Sequence, residues 1–329
     1  MEKSKLQIWA EDMATKNGFI LDRFIYSGEY YTSGNVRSVI LSGIYQGQQT
    51  VFKAYDDPRL SDEPLSLKRF NENNTSKFLI APKLYAYELI SSKKGWFIME
   101  KLPDNGSFFQ SPLNKQLRQD FIKAFLEYRN NFPYEPTRDL SLAENLPSNE
   151  FHVHRINGWF RLANDKEEEM LSQGKARLLD IQEFIPNYIK ALDKIREDFK
   201  GRKMIWCHGH AKPQEFYQSG ELTYLTDFAH TKLYPEGYEL AFVIWADYLM
   251  AGDYKLNYQE WRKGIFAWVD DFEKVAEKLK IVNYREFIKT CILERVLGTI
   301  LADVCTSDRP REEKEARLNL LNQLLDELL

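Results

Sequence analysis

The sequence predicts an α+β chain in two unequal parts, a small lobe around a five-stranded antiparallel sheet at residues 1–100 and a larger, mainly helical lobe at 101–329. Three observations predict it. Between Phe24 and Met99, short runs rich in β-branched and aromatic residues are punctuated by turn sequences. After Leu102, apolar residues recur at helical spacing over long stretches. Between Lys203 and His230, strand-like runs return briefly inside the otherwise helical part. With 329 residues and 43% hydrophobic content, the chain has the length for two lobes and the apolar side chains for a core in each.

The first segment reads as an amphipathic helix, with Leu6, Trp9 and Met13 at helical spacing. From Phe24 to Tyr55 the pattern changes to strands. Ser33-Gly34-Asn35 breaks a first hairpin and Gln46-Gly47-Gln48 a second, and Val36 to Ile44 and Thr50 to Tyr55 are the β-rich runs between and after them. Ser61-Asp62-Glu63-Pro64 looks like a helix start, because it carries an N-cap candidate, acidic first-turn residues and a proline near the first position. Leu65, Leu67 and Phe70 supply that helix's buried side. Two further strands follow, Lys83 to Ile90 and Trp96 to Met99, separated by the turn Ser92-Lys93-Lys94-Gly95. The sheet-rich part therefore ends near Glu100. Helices are predicted over Asn114 to Phe132, Lys175 to Phe199, Tyr238 to Met250, Asn257 to Leu279 and Tyr284 to the C-terminus. The strand-like runs among them are Met204 to Cys207, Glu215 to Tyr217 and Leu222 to Leu225, the last two joined by a Gln218-Ser219-Gly220 turn. Pro133 to Asn157, with three prolines, is the predicted long loop.

A net charge of -4 without any basic run gives no general attraction to nucleic acid or to an anionic membrane. The expected partner is a small molecule or another protein. Met1 to Lys5 lead into charged helical sequence, so neither a secretory signal nor a transit peptide is expected, and Glu239 and Asp247 keep the most apolar helical stretch, Leu240 to Met250, short of a membrane span. The expectation is a cytoplasmic chain. Cys207, Cys291 and Cys305 are odd in number and lack C-x-x-C spacing, which argues for buried free thiols over a disulfide framework or structural zinc.

The segment richest in chemistry is His208-Gly209-His210-Ala211-Lys212-Pro213-Gln214-Glu215, followed after the short hairpin by Thr226-Asp227-Phe228-Ala229. Two antiparallel strands joined by a tight turn bring their outer ends together, so residues 210–215 and Asp227 should converge. A loop bearing His, Lys and Glu then faces a carboxylate.

Here the chain resembles the aminoglycoside phosphotransferase and choline kinase families and, more distantly, the protein kinases, whose catalytic loop reads H-x-D-x-x-x-x-N before a hairpin and a D-F metal motif. His208 matches the motif's histidine and Asp227-Phe228-Ala229 its metal-binding triplet, while Lys212-Pro213 falls where many kinases carry lysine and proline. Two positions depart: His210 stands at the catalytic aspartate and Glu215 at the metal-binding asparagine. Upstream, Ser33-Gly34-Asn35 lies where the nucleotide-covering loop would be, and Val51-Phe52-Lys53-Ala54 looks like the strand with the phosphate-binding lysine. Glu63 suits that lysine's helix partner, and Met99-Glu100-Lys101-Leu102 falls at the hinge. Downstream, Gly237-Tyr238-Glu239-Leu240-Ala241 is similar to the family's Y-D-L-A segment.

The resemblance implies a bilobal protein-kinase-like fold that moves the γ-phosphoryl group of ATP or GTP to a hydroxyl of a small molecule. Gly34, Asn35, Lys53, Glu63, Glu100 and Leu102 would bind nucleotide, and Asp227 and Glu215 would hold magnesium. Lys212 would place positive charge beside the moving phosphoryl group, and His210, next to the loop histidine His208, would accept or orient the acceptor's proton. The acceptor pocket would draw on a helical insertion from Phe151 to Leu178 and on Asp247 or nearby acidic residues.

Plainer readings stand beside these. Lys53 also suits the solvent face of an alternating strand, Glu63 has Asp62 and Glu72 as alternatives, and Gly34 and Asn35 are also ordinary turn chemistry. His208 equally suits a structural part, hydrogen-bonding the loop backbone. His210 fits either a working base or a site that has lost its base, which would leave a catalytically silent nucleotide-binding protein that signals through a protein partner. A third alternative is a metal hydrolase: all five histidines, His152, His154, His208, His210 and His230, lie between residues 152 and 230, and these, with two H-x-H pairs among them, could join Asp227 around an ion.

Overall fold

In a computed structural model that describes residues 3–29, 34–131, 146–250, 252–306 and 309–329, an antiparallel sheet precedes a mainly helical body. Helix α1 (Lys5–Lys16) starts where the Ser4 hydroxyl accepts from the Gln7 amide, and it lays Leu6, Ala10 and Ala14 against the sheet. The sheet is made of β1 (Ile20–Glu29), β2 (Val36–Tyr45) and β3 (Gln48–Asp56), then, beyond a short β4 (Leu79–Ile80), β5 (Leu84–Leu89) and β6 (Lys94–Glu100). Its order is β1-β2-β3-β6-β5. Gln46 and Gly47, at φ 51° and 77°, form the positive-φ turn that suits the twist of the β2–β3 hairpin. The break expected at Ser33-Gly34-Asn35 falls between β1 and β2, with Ser33 itself outside the described residues.

Alternation along β3 decides what each sheet face does. Phe52 and Ala54 point toward α1, where Phe52 stacks on Trp96 at 5.3 Å between ring centroids, so Lys53 and Tyr55 emerge on the opposite face. Lys53 pairs across to Ile40 on one side and Phe97 on the other, which places it mid-sheet on the central strand. Helix α2 (Glu63–Asn73) covers that face through Leu67 and Phe70, both buried, while Leu65 is only half-buried.

In the rest of the chain, β7 (Ser107–Phe108) precedes α3 (Lys115–Asn131), α4 (Ser148–Ser172) and α5 (Ile181–Phe199). Four short strands follow, β8 (Met204–Cys207), β9 (Phe216–Ser219), β10 (Leu222–Leu225) and β11 (Lys232–Pro235). The last helices are α6 (Tyr238–Ile244), α7 (Tyr258–Asp271), α8 (Glu273–Leu279), α9 (Tyr284–Cys305) and α10 (Arg311–Leu328). Helix α9 is buried along nearly its whole length, with α4, α5, α6 and α10 packed around it. The β9–β10 hairpin is flanked by β7 and by β4, which pairs parallel to β10 and ties the linker from the first lobe to the second. Strand β8 pairs with β11, so the segments on either side of the hairpin are clamped together.

Several sequence expectations are corrected. Ser148 to Asn157, expected as loop, belongs to the single helix α4, and Pro147, one of the three prolines that suggested a loop, is its N-cap. The rest of that expected loop, 133–145, lies outside the described residues. Helix α5 begins at Ile181, not Lys175, because Asp180 caps it by accepting from the amides of Gln182 and Glu183. The Tyr238 helix turns into a π-helical segment at Trp245–Met250, the Asn257–Leu279 helix breaks at Phe272, and the C-terminal helix is interrupted before Pro310. Cys207 and Cys291 are buried free thiols, and Cys305 is free but half-buried. Among the described residues no helix is long and apolar enough to cross a membrane.

Candidate active site

Where the two lobes meet, Lys53 reaches out of β3 and lies 2.7 Å from Oε1 and 2.6 Å from Oε2 of Glu63 on α2. Both side chains are buried. Across the cleft, Asp227 Oδ1 is 3.9 Å from the same ammonium. Burial opposes the Lys53 charge, but Glu63 and Asp227 outweigh it and raise its pKa. Burial lifts the Glu63 carboxyl to about 7 against the pull of Lys53. Of the three acidic alternatives for the lysine's partner, Asp62, Glu63 and Glu72, the structure brings Glu63 to it.

Asp227 follows β10 in the left-handed conformation, φ 57° and ψ 58°, which aspartate tolerates better than branched residues do. Its Oδ2 is 3.2 Å from His210 Nδ1 and 3.7 Å from His230 Nε2. Burial works against the carboxylate's charge, yet His230, the His210 hydrogen bond and Lys53 hold its pKa well below the usual range. An ionised carboxylate only accepts, so His210 Nδ1 carries the proton and donates, leaving the lone pair on Nε2. Burial lowers the His210 pKa, and burial followed by the adjacent His210 ring pushes His230 well below its ordinary value. The two imidazoles lie 3.8 Å apart between centroids, and Phe242 stacks on His210 at 5.4 Å.

Lys212 pairs with Glu215 at 2.5 Å, and the Thr226 hydroxyl lies 3.2 Å from the other Glu215 oxygen. Burial, with Asp227 nearby, lifts Glu215 to about 7. The expected magnesium pair is therefore only half assembled. Asp227 is an ionised oxygen donor that suits a hard cation, whereas both Glu215 oxygens are engaged by other side chains. Among the described residues, the group whose ligand atoms all lie within 4.8 Å of one another is His210, Asp227 and His230.

His208 is fully buried, and burial pushes its pKa down to about 3. Its backbone N–H donates to Tyr128 Oη at 2.7 Å, and Tyr128 donates in turn to Glu239 at 2.6 Å, with Arg129 3.3 Å from the same carboxylate. Phe70, Phe228, His208 and Tyr128 form an aromatic column from α2 to α3, with successive centroids 5.3, 5.1 and 6.0 Å apart. Gly209, at φ 81°, lets the loop press on the next segment: a Cβ there would sit 1.7 Å from the His230 carbonyl oxygen. Sequence reasoning missed Tyr128 and Phe242, and it placed His230 only within the general histidine cluster. The D-x-x-H spacing of Asp227 and His230 was the available signal, since positions three apart eclipse across the 3-10 turn Phe228–His230.

Other expected residues are placed differently. Gly34 and Asn35 are exposed just ahead of β2, and Ser33 lies outside the described residues. Glu100 accepts from the Lys83 amide at 3.1 Å, holding β5 to β6 just ahead of half-buried Leu102. Asp247 is fully buried and accepts from the Leu113 amide and the Trp268 indole, which makes it structural and not part of an acidic acceptor pocket. The side chain behind Phe242 is instead cationic: Arg295 lies 4.6 Å from the Phe242 ring and 5.3 Å from that of Trp245. The two-pair histidine site is not formed. His152 is buried on α4 against Glu294, 3.2 Å away, and His154 on the same helix is exposed.

No protein-family model matches the chain, and no curated protein matches it in sequence. Solved structures do resemble it. A thermostable mutant of aminoglycoside phosphotransferase APH(4)-Ia, in a ternary complex with ADP and hygromycin B, superposes with a TM-score of 0.60 at 12% identity, covering 97% of both chains. Choline kinase LicA from Streptococcus pneumoniae gives 0.57 at 12% identity, covering 98% of this chain and 99% of the other. An ethanolamine kinase of Plasmodium vivax gives 0.56 at 13% identity, with 93% and 84% covered. Superposition over nearly the whole chain means that this protein has the bilobal kinase-like fold of the aminoglycoside phosphotransferases and the choline and ethanolamine kinases.

Proposed function

We propose that the protein binds a nucleoside triphosphate, ATP or GTP, between its lobes and transfers the γ-phosphoryl group to a hydroxyl of a small molecule. The observation that carries this reading is the buried Lys53–Glu63 pair held 3.9 Å from Asp227, a cation and a carboxylate contributed by opposite lobes. A lysine fixed by a carboxylate meets inner phosphates without first paying the entropy of ordering a free side chain. Asp227 would hold magnesium, and Glu215, the expected second carboxylate, would join it only on leaving Lys212 and Thr226. The ion would supply positive charge to the phosphate oxygens. Lys212 stands beside the loop as the further cation, and Glu100 and Leu102 line the link between the lobes. In this reading His210, oriented by Asp227 through Nδ1, uses its free Nε2 to take the acceptor's proton.

A second reading is favoured by one specific observation. His210 occupies the position of the family's aspartate and lies against Asp227, so a catalytically silent nucleotide-binding protein would look the same without nucleotide. Turnover separates the two. If the protein is a working enzyme, magnesium-dependent hydrolysis or transfer from ATP is measurable and falls at least about 100-fold in His210→Ala, the usual range for losing a general base. If it is silent, nucleotide binds without turnover, and His210→Asp raises activity from nothing. Absence of both binding and turnover with ATP and GTP contradicts either form.

A further inference from the structure

We infer that His210, Asp227 and His230 form a binding site for a late first-row divalent cation of the zinc type, occupied without nucleotide. This deepens the reading above and rests on it only for Asp227 as the cation-holding carboxylate.

The geometry is that of a site nearly closed. Ligand atoms 2.0–2.2 Å from a tetrahedral ion are separated from one another by about 3.3 Å. Here the shared Asp227 oxygen stands 3.2 Å from His210 Nδ1 and 3.7 Å from His230 Nε2, and one ligand atom from each of the three residues lies within 4.8 Å of the others. Small movements, on the order of an ångström, bring all three to a common centre. The rings lie 3.8 Å apart, close enough that two positive imidazoliums would repel strongly; two neutral rings, each offering a lone pair, suit the arrangement. Metal binding moves the His210 proton from Nδ1 to Nε2, so no charge is lost from the ring.

The ligand set also selects the ion. Magnesium takes oxygen donors, keeps several waters and in phosphotransferases leans on substrate phosphates. Two imidazoles and a carboxylate form instead the set preferred by zinc, iron, cobalt and nickel, with coordination positions left open. The supports are rigid. Phe242 backs the His210 ring, the His230 carbonyl is pressed against Gly209, and β8 and β11 clamp the two segments together. His210 and His230 are the residues that set this cluster apart from an all-oxygen site.

One consequence is exclusive use of His210. With Nδ1 on a metal, Nε2 carries the proton and no longer serves as a base, so an ion bound here switches off the proton-accepting role. The same ion competes with magnesium–nucleotide, because both need Asp227.

The test is calorimetric titration of the nucleotide-free full chain with zinc, paired with visible absorption of the cobalt form. The expected result is one ion per chain, cobalt bands of the intensity typical of four- or five-coordination, and affinity lowered by at least about tenfold in His230→Ala. His230→Gln, which keeps the side chain's bulk, should lose affinity likewise, and His154→Ala on the exposed face of α4 should not. Failure to bind zinc stoichiometrically would overturn the site, as would equal affinity in the His230 variants with circular dichroism showing them folded. ATP titration of the same samples keeps the two readings apart. Zinc bound without any nucleotide binding would sink the phosphotransferase reading and leave this site standing, and nucleotide bound without zinc would do the reverse.

Discussion

Buried histidines and the Lys53–Glu63 pair set the behaviour of single residues. His152 shows how burial alone decides a charge. It is fully enclosed by Phe199, Tyr234 and Tyr238, and burial pushes its pKa to about 4, with the hydrogen bond to Glu294 pulling the other way. The folded chain therefore keeps this ring neutral down to about pH 4, whereas the unfolded chain binds a proton below its ordinary 6.5. Between those values the unfolded state holds the extra proton, so stability falls as pH falls, by about 3 kcal/mol over the window. Denaturant unfolding of His152→Phe across pH 4–7 should show this dependence shallower by close to one proton; an unchanged slope would contradict the assignment. Lys53 carries a different cost. Removing one partner of a buried ion pair costs about 3–5 kcal/mol, less where the survivor can neutralise itself. Glu63 already sits near 7, so Lys53→Met should fall at or below the low end of that range in urea unfolding at pH 7. Lys53, Glu63 and Asp227 were legible in the sequence because three ordered motifs pointed at them together. The specific pairing of His230 with Asp227 was not, because a histidine three residues past an aspartate stands out from the other clustered histidines only once a tight turn brings the two together.

At the level of elements, the loop after β8 is held by contact with its neighbours more than by its own conformation. Gly209 and Gly47 both have positive φ, but a Cβ at Gly47 meets open space while one at Gly209 would overlap the His230 carbonyl. Gly47→Ala should therefore cost about 1 kcal/mol, the penalty of the backbone conformation alone. Gly209→Ala should cost on the order of 3 kcal/mol or more, because strain and displacement add. Paired thermal unfolding curves measure the contrast, and equal losses would show that the loop has room to move. The sheet strands and hairpins were readable because turn sequences such as Gln46-Gly47 dictate their positions locally. Helix α4 was not readable at its start, since its boundary depends on Pro147 and on burial of Val153 and Ile156 against distant helices. The π-helical segment at Trp245–Met250 is likewise a tertiary result: it accompanies an Asp247 buried against Leu113 and Trp268, a contact that local propensity does not encode.

For the whole molecule, the fold explains how residues 174 positions apart, Lys53 and Asp227, come to share one cleft. Phe228 extends an aromatic column between α2 and α3, Ser66 lies 3.4 Å from Thr231, and β4 pairs with β10, so the lobes are joined on both sides of the site. The bilobal plan could be read from the alternation of sheet and helix sequence. The acidic pocket expected around Asp247 was misread, because Asp247 is buried against Trp268 and the charged side chain beside Phe242 is Arg295. The central claim is that a nucleotide sits where Lys53 and Asp227 face each other, and equilibrium titration of the full chain with a fluorescent ATP analogue and magnesium tests it most directly. Saturable one-site binding is predicted, weakened at least about tenfold, or 1.4 kcal/mol, in both Lys53→Met and Asp227→Asn and unchanged in Arg262→Ala on the surface of α7. Binding of equal strength in all four proteins, or none in the natural chain, would contradict it.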